Sequence, residues 1–256
     1  MINNLFIFIL GLMIGSFLNV CIYRLPKGIF SKERFSFCPH CKQRIRWFDN
    51  IPLLSYIFLR GRCRHCRQRI SFVYPLVELI GGLCFLFLFV YLGLTPLFFI
   101  YSLLICALIV STFTDFEERI VPNEISVGGL VVGLLISFIY PLLQGVSSHW
   151  TGLFNSFLGA LVGGASLYLT GIFGNIVFRK ESMGGGDIKL LAMVGAFLGW
   201  KMVLLVFFIS PFFGAVVGIA LKLKEKAETI PYAPFLSLGS LISLVWGKGI
   251  LIWLGF

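Results

Sequence analysis

The sequence predicts an all-α polytopic membrane protein, with about eight transmembrane helices and a small zinc-binding cytoplasmic loop domain between helices 1 and 2. Of the 256 residues, 58% are hydrophobic and only 12% are charged, whereas a soluble domain has about 25% charged residues. The first two apolar runs are separated by a polar segment that carries four cysteines in two pairs. The positive charges gather in alternate connections between the runs, as expected for oriented membrane helices.

Eight apolar segments are candidates for membrane helices, since a hydrocarbon core of about 30 Å needs about 20 helical residues. They are residues 3–23, 75–92, 97–113, 124–143, 152–178, 187–199, 202–221 and 235–255. The sixth is the shortest, and at about 1.5 Å per residue it covers about two thirds of the core. If it merged with the seventh, the lysines at 222–226 would fall on the side opposite the other cations. The charge pattern therefore favours two helices joined tightly around Gly199.

The first segment, residues 3–23, is predicted to be a retained helix and not a removed signal. It lacks a cationic start and a small-residue cleavage site. Ser16 and Asn19 are polar groups inside this helix. Either they hydrogen-bond a neighbouring helix, which is the reading we favour, or they contact a substrate directly.

The net charge of +10 indicates membrane orientation and not nucleic-acid binding, because the cations are sorted by connection. Nineteen of the 21 lysines and arginines lie in odd-numbered connections: twelve between Arg24 and Arg69, one at Arg119, three at 179–189 and three at 222–226. Cytoplasmic connections are rich in Lys and Arg. We therefore expect these connections in the cytoplasm, both chain termini outside, and only Lys201 and Lys248 on the outer side.

The polar segment is predicted to bind zinc. Two C-x-x-C pairs are separated by 21 residues, and their surroundings repeat, as C-P-H-C-K-Q-R-I and C-R-H-C-R-Q-R-I. This spacing nearly matches that of a tetrahedral zinc site, with Cys38, Cys41, Cys63 and Cys66 as ligands. Disulfides are the alternative, but the reducing cytoplasm, where the charge pattern puts this segment, favours a metal.

Four thiolates leave the metal no open coordination position, so its predicted role is to fold the loop and not to catalyse. We expect three regions in the chain. Residues 1–23 form transmembrane helix 1, residues 24–74 form the zinc-binding loop domain, and residues 75–256 form a seven-helix transmembrane domain.

Two aspartates stand where apolar segments meet polar turns on the same predicted side. Asp187 follows the glycines Gly184, Gly185 and Gly186 at the start of the sixth segment, and Asp115 follows the third. Ionisable residues at membrane depth are functional by default, and glycines permit backbone conformations that a side chain forbids. Two adjacent carboxylates share one proton, so one can take a proton from water while the other donates to a peptide carbonyl. This pattern predicts an aspartic peptidase.

Other polar groups have more than one interpretation. Lys189 is either an orientation charge or the partner of a carboxylate. Glu78 is either a first-turn carboxylate favoured by the helix dipole or part of a substrate pocket. The three histidines lie in the zinc knuckles or on the opposite face, so no serine or cysteine nucleophile is paired with one. The sequence Pro231-Tyr232-Ala233-Pro234 marks the start of the last helix.

Several glycine pairs have the small-xxx-small spacing that lets helices approach closely. The pairs are 129/133, 159/163, 195/199 and 214/218. They predict a compact helix bundle and carry no chemistry of their own.

Six motifs are distributed along the chain: GSFLNVCIYRLP at 15–26, the paired cysteine knuckles, DNIPLLSY at 49–56, YPLVEL at 74–79, D-x6-PN from Asp115, and GGGDIKL at 184–190. Together they resemble the type IV prepilin peptidases, the bacterial leader peptidases of pili, type II secretion and competence pseudopili. The last motif contains the G-x-G-D signature of presenilin-like intramembrane aspartic proteases. The resemblance implies Asp115 and Asp187 as the catalytic pair, in a loop formed by Gly184, Gly185, Gly186 and Lys189.

The resemblance also implies a substrate and a second activity. Members of the family cleave the short basic leader of prepilins after a glycine, at the cytoplasmic face of the bacterial inner membrane. Many members with the cysteine-bearing loop also transfer a methyl group from S-adenosylmethionine to the new N-terminal amine. The sequence carries no methyl-donor fingerprint, and Glu78 and Asp49 are the candidates for positioning that amine. The alternatives are a peptidase without methyltransferase activity and, in another class, a non-enzymatic zinc-ribbon scaffold or transporter.

Overall fold

The computed structural model describes residues 2–30, 35–178, 183–222 and 230–255. Some of the cations that were assigned to cytoplasmic connections lie outside the described residues: Lys32, Arg34, Arg179, Lys180, Lys224 and Lys226.

The described part of the chain is helical, as predicted, and contains no β-strand. Its helices are α1 (Ile2–Arg24), α2 (Leu54–Phe58), α3 (Val73–Leu92), α4 (Pro96–Glu118), α5 (Asn123–Ile139), α6 (His149–Phe178), α7 (Gly185–Leu198), α8 (Trp200–Lys222) and α9 (Ala233–Trp253). Two short 3-10 helices occur at Trp47–Asn50 and Pro141–Gln144.

Six of these helices are long and apolar enough to cross a membrane, namely α1, α3, α4, α6, α8 and α9. Each of the eight predicted segments corresponds to one helix, but α5 and α7 have only 17 and 14 residues. A helix of that length covers less than the full hydrocarbon core of about 30 Å. The protein is therefore a multi-pass membrane protein. Of the eight helices that correspond to predicted segments, α5 and α7 are too short for a complete span.

Two helix ends differ from the predicted boundaries. The fourth segment was expected to run to residue 143, but α5 ends at Ile139 because Pro141 has no N–H to continue the helical ladder. The third was expected to end at residue 113, but α4 continues to Glu118. Asp115 therefore lies inside the last turn of a helix and not in a polar turn, since the apolar pattern stops before the helix does.

Residues Met1–Val110 form one compact unit. In it, α1 packs along α3 through glycines, and a Cβ atom on Gly11 would lie 2.7 Å from the carbonyl oxygen of Gly81. Closer to the C-terminal end of α1, the side-chain amide of Asn19 donates a hydrogen bond to the carbonyl of Tyr74, at 3.0 Å. The expected hydrogen bond between this polar residue and a neighbouring helix is confirmed.

Residues Ser111–Phe256 form the second compact unit, and α7 lies at its centre. α7 contacts α5, α6, α8 and α9, and most of its side chains from Leu190 to Phe197 are fully buried. Gly195 of α7 meets Gly159 of α6 so closely that a Cβ atom on either would overlap the other's backbone. Gly199 has φ of +79°, which lets α8 begin at Trp200 directly after α7, and the predicted tight junction is confirmed.

Candidate active site and metal centre

The two cysteine pairs of the first unit have the same local geometry, as their sequence repeat predicts. In each, the N–H of the first cysteine donates to a glutamine carbonyl five residues later, at 3.0 Å for Cys38 and 2.9 Å for Cys63. The residue after each pair, Lys42 or Arg67, has a positive φ of 58° or 59°. Positive φ is uncommon for residues other than glycine, so both knuckles turn through the same unusual conformation.

The four thiols of these knuckles converge on one point. The sulfur atoms of Cys38, Cys41, Cys63 and Cys66 all lie within 4.8 Å of one another, and the Cys38 and Cys66 sulfurs are 3.9 Å apart. A tetrahedral site with Zn–S bonds of about 2.3 Å has sulfur–sulfur edges of about 3.8 Å. All seven cysteines are free thiols, so the cluster can bind a metal ion.

Asp49 is joined to the second knuckle by a bidentate ion pair. Nε of Arg64 donates to Oδ2 of Asp49 at 2.8 Å, and Nη2 donates to Oδ1 at 2.5 Å. The hydrogen bond from Arg64, followed by the guanidinium charge, holds the pKa of Asp49 below its usual value. Both oxygens of this predicted site residue are therefore occupied by one partner.

Glu78 contacts the segment that follows Asp49 at its other end, at Leu53. The backbone N–H of Leu53 donates to Oε2 of Glu78 at 2.9 Å, and Ser16 of α1 also hydrogen-bonds this carboxylate. Leu53 has φ of 60° and ψ of −49°, and the N–H of Leu54 reaches the carbonyl of Pro52 at 2.6 Å. This is a strained γ-turn, and the partly buried carboxylate of Glu78 lies directly against it.

Asp115 in the second unit is buried at the end of α4, with 7% of its surface exposed. Its Oδ2 accepts a hydrogen bond from the backbone N–H of Ala233, the first residue of α9, at 3.0 Å. After Glu118 the helix ends at Arg119, which has φ of 57°. The carboxylate is thus held between the C-terminus of one helix and the N-terminus of another.

Asp187 is the third residue of α7 and belongs to the same unit as Asp115. Its Oδ1 is buried and has no hydrogen-bond partner among the described residues. The charge of Asp115 acts on it electrostatically. The structure therefore brings the two predicted aspartates, which are 72 positions apart in the sequence, into one electrostatic neighbourhood.

The glycines before Asp187 act differently from the expectation, since none of the three has a positive φ. What Gly184 and Gly186 provide is space. A Cβ atom on Gly184 would lie 3.0 Å from Oδ2 of Asp187, and one on Gly186 would lie 3.1 Å from Cβ of Val121. Gly185 faces open space, so the close approach needs two of the three glycines.

Lys189 has an amide partner and not a carboxylate. Its Nζ donates to Oδ1 of Asn123 at 2.9 Å. Asn123 is the first residue of α5 and belongs to the D-x6-PN motif. This hydrogen bond links the segment after Asp115 to the helix that carries Asp187.

Two groups at the start of α9 were not identified as site residues from the sequence. They are the N–H of Ala233, which reaches Asp115, and the side chain of Tyr232. Burial, and then the negative charge of Asp187, raise the pKa of Tyr232 to about 12. The Pro-Tyr-Ala-Pro sequence predicted where the last helix starts. That this start lies next to the aspartates is seen only in the folded structure.

Comparison with known proteins identifies the family of the chain. Residues 9–92 match the Bacterial Peptidase A24 N-terminal domain, and residues 102–219 match the Type IV leader peptidase family. Relatives named prepilin leader peptidase/N-methyltransferase occur in Aeromonas salmonicida (36% identity, 96% of this chain, 92% of the relative), Pseudomonas putida (34%, 94% and 90%) and Legionella pneumophila (33%, 95% and 91%). No solved structure matched the chain. With more than 30% identity over nearly its whole length, the protein belongs to the type IV leader peptidase family, and it is an enzyme.

Proposed function

We propose that this enzyme is a membrane-embedded aspartic endopeptidase that removes the basic leader of type IV prepilins or pseudopilins. Asp115 and Asp187 are its acid–base pair. The observation that supports the proposal is that Asp115 and Asp187, from α4 and α7, lie in one compact unit and the charge of Asp115 acts on Asp187. The substrate class comes from the names of relatives that align with nearly the whole chain.

The pair acts without a covalent intermediate. One carboxylate takes a proton from water as the water oxygen attacks the peptide carbonyl carbon, and the other carboxyl group donates its proton to the carbonyl oxygen. Collapse of the resulting diol breaks the C–N bond and passes a proton to the leaving amine. The short α7 supports this chemistry, because a helix of 14 residues does not span the hydrocarbon core and its first turn would lie in an indentation of the membrane surface that water can enter.

Gly184, Gly185, Gly186 and Lys189, which were expected in a loop, form the N-cap and the first residues of α7 and support the pair from there. Close packing at Gly184 and Gly186 supports this role, since a side chain at either position would displace Asp187 or Val121. Lys189 fixes the start of α7 against Asn123. Its role is to position the helix that carries Asp187.

Cleavage takes place at the cytoplasmic face of the bacterial inner membrane, with both chain termini outside. The distribution of Lys and Arg among the connections supports this orientation. The basic leader of a prepilin precedes a hydrophobic helix. Such a basic segment is expected on the cytoplasmic side as well.

The four-cysteine cluster holds one Zn²⁺ ion with a structural role. The 3.9 Å sulfur separation and the closed set of four thiols support zinc. The ion would cross-link the two knuckles, between which the chain forms only short turns, the Trp47–Asn50 3-10 helix and α2.

The second activity is N-methylation of the new N-terminus, with S-adenosylmethionine as methyl donor. That compound supplies an electrophilic methyl group when bound. A partly buried carboxylate is suited to a cationic partner, and both the substrate ammonium and a sulfonium are cations, so Glu78 fits this role. Asp49 is the weaker candidate, because Arg64 occupies both of its oxygens. A peptidase without methyltransferase activity is the alternative.

Cleavage of a prepilin by purified protein tests the peptidase. We expect Asp115→Asn and Asp187→Asn each to reduce the rate by about 10²–10⁴-fold, the usual contribution of a general acid or base. Glu124→Gln is the matched control, because it removes an exposed carboxylate at the start of α5 and should leave the rate unchanged. Full activity in either aspartate variant would rule out Asp115 and Asp187 as the catalytic pair.

A further inference from the structure

The N-terminus of α9 is directed at one member of the aspartate pair. Ala233, the first residue of α9, is completely buried, and its N–H donates to Oδ2 of Asp115 at 3.0 Å. The first N–H groups of a helix have no partner within the helix and carry its positive partial charge. The backbone of Tyr232 acts on the same carboxylate. Burial is the larger effect and disfavours a charge on Asp115, and these backbone N–H groups offset part of that cost.

The charged and titratable groups around the pair reinforce this asymmetry. Arg119, one turn beyond Asp115, favours the ionised form of Asp115 by its positive charge. Tyr232, immediately before α9, has a pKa of about 12, owing to burial and the charge of Asp187. Tyr232 is therefore neutral at physiological pH and leaves the shared proton to the two carboxyl groups.

Asp187 has the opposite environment. Its Oδ1 is buried and, in the described part of the chain, accepts no hydrogen bond. It lies in the first turn of α7, whose positive end favours an ionised carboxylate, but no described donor reaches its Oδ1. An ionised oxygen without a donor is costly in an apolar setting, whereas a protonated carboxyl group carries no charge there.

We propose that the N-terminus of α9 assigns the two roles within the pair: Ala233 holds Asp115 ionised as the base, and Asp187 carries the proton as the acid. The inference rests on the proposed peptidase activity. In the attack step, Asp115 takes a proton from water as the C–O bond forms, and Asp187 gives its proton to the carbonyl oxygen. In the collapse step, Asp115 passes its proton to the leaving nitrogen as the C–N bond breaks, and Asp187 recovers a proton from the diol.

Removal of one N–H tests this assignment. Incorporation of lactic acid in place of Ala233 converts the amide to an ester, which deletes the donor and preserves the methyl side chain. We expect the acid limb of the kcat/KM–pH profile to move up by about one pH unit, since a hydrogen bond to a charged group has about that effect on its ionisation. The basic limb, which reports the second proton of the pair, should not move.

The control is the same ester change at Phe235, with phenyllactic acid. The N–H of Phe235 donates to the carbonyl of Tyr232 at 3.0 Å, so the loss should lower stability and move neither limb. A shift of the basic limb alone at Ala233 would reverse the roles, and an unshifted profile would show that the N–H has no part in them.

A second measurement needs no active enzyme. At the pH of maximal wild-type activity, the infrared band of a protonated carboxyl group should be lost in Asp187→Asn and kept in Asp115→Asn. The reverse pattern overturns the assignment while prepilin cleavage by the wild type still stands. Absence of cleavage by the wild type itself would instead refute the proposed function.

Discussion

At the scale of single residues, Glu78 combines two properties that are rarely found together. Its carboxylate accepts the N–H of Leu53 in the strained turn. It is also partly buried, in a helix that is long and apolar enough to cross the membrane. A purely structural acceptor needs only a neutral oxygen, whereas a site for a cation needs the negative charge. The two roles can therefore be separated by an isosteric change.

We expect Glu78→Gln to retain prepilin cleavage and to lose methylation of the product. The amide oxygen of glutamine still accepts the Leu53 N–H, so the turn is kept, but no charge remains to hold the amine. Mass spectrometry of the mature N-terminus measures both activities in one sample. Methylated product from the variant would assign Glu78 to support of the turn alone, and unmethylated product from the wild type would favour a peptidase without the second activity.

Residues with a local signature were predictable, and those without one were not. The cysteine spacing and the motifs around Asp115 and Asp187 can be read along the chain. The Ala233 N–H cannot, because every residue except proline carries the same group. The partner of Lys189 was left open, since Asn123 meets it only after α5 and α7 have packed together.

At the scale of elements, α7 depends on close contact with its neighbours. It meets α6 at Gly159 and Gly195, and the carbonyl of Ala196 near its end accepts hydrogen bonds from Ser156 at 2.7 Å and Gln144 at 3.0 Å. These polar bonds satisfy the end of a short helix inside the bundle. The position of Asp187 at the other end depends on this packing.

We expect Gly195→Ala to destabilise the protein by about 1–3 kcal/mol, the usual effect of overpacking. Its methyl group would overlap the backbone of Gly159, which cannot move as a side chain could. Gly128→Ala is the matched control, because nothing lies within 4 Å of its added carbon, and it should be neutral or slightly stabilising. Thermal unfolding in detergent measures both, and equal stability of the two variants would contradict the packing argument.

The cysteine module makes a separate prediction. Cys38→Ser should reduce zinc binding by on the order of 100-fold or more, because loss of a ligand exceeds the effect of altering a ligand's hydrogen-bond partner. Cys84→Ser, a change of the same chemistry in α3, should leave the metal content unaffected. Zinc content after purification is the measurement. Equal content in both variants would show that the four sulfurs do not hold the ion.

At the scale of the whole molecule, the number and order of the membrane helices were predictable, because each such helix needs a long apolar run. The short length of α7 was also predictable, because its apolar run is itself short, whereas α5 is shorter than predicted because Pro141 ends it. The end of α4 was also placed too early. Hydropathy falls at Thr114-Asp115, while the backbone hydrogen bonds continue to Arg119.

Orientation is the whole-molecule property that the charge pattern predicts. A cysteine at exposed Ser148, between α5 and α6, should react with a membrane-impermeant thiol reagent on intact cells. A cysteine at exposed Ser71, in the basic connection before α3, should react only after permeabilisation. The opposite labelling pattern would invert the topology and place the basic connections outside.

The central claim is that Asp115 and Asp187 act as one acid–base unit, and double substitution tests it most directly. Because residues that act as a unit are strongly non-additive, the prepilin cleavage rate of Asp115→Asn/Asp187→Asn should be no lower than that of the slower single variant. Each single variant should already have lost about 10²–10⁴-fold. Losses that multiply in the double variant, or a single variant that cleaves at the wild-type rate, would contradict the account.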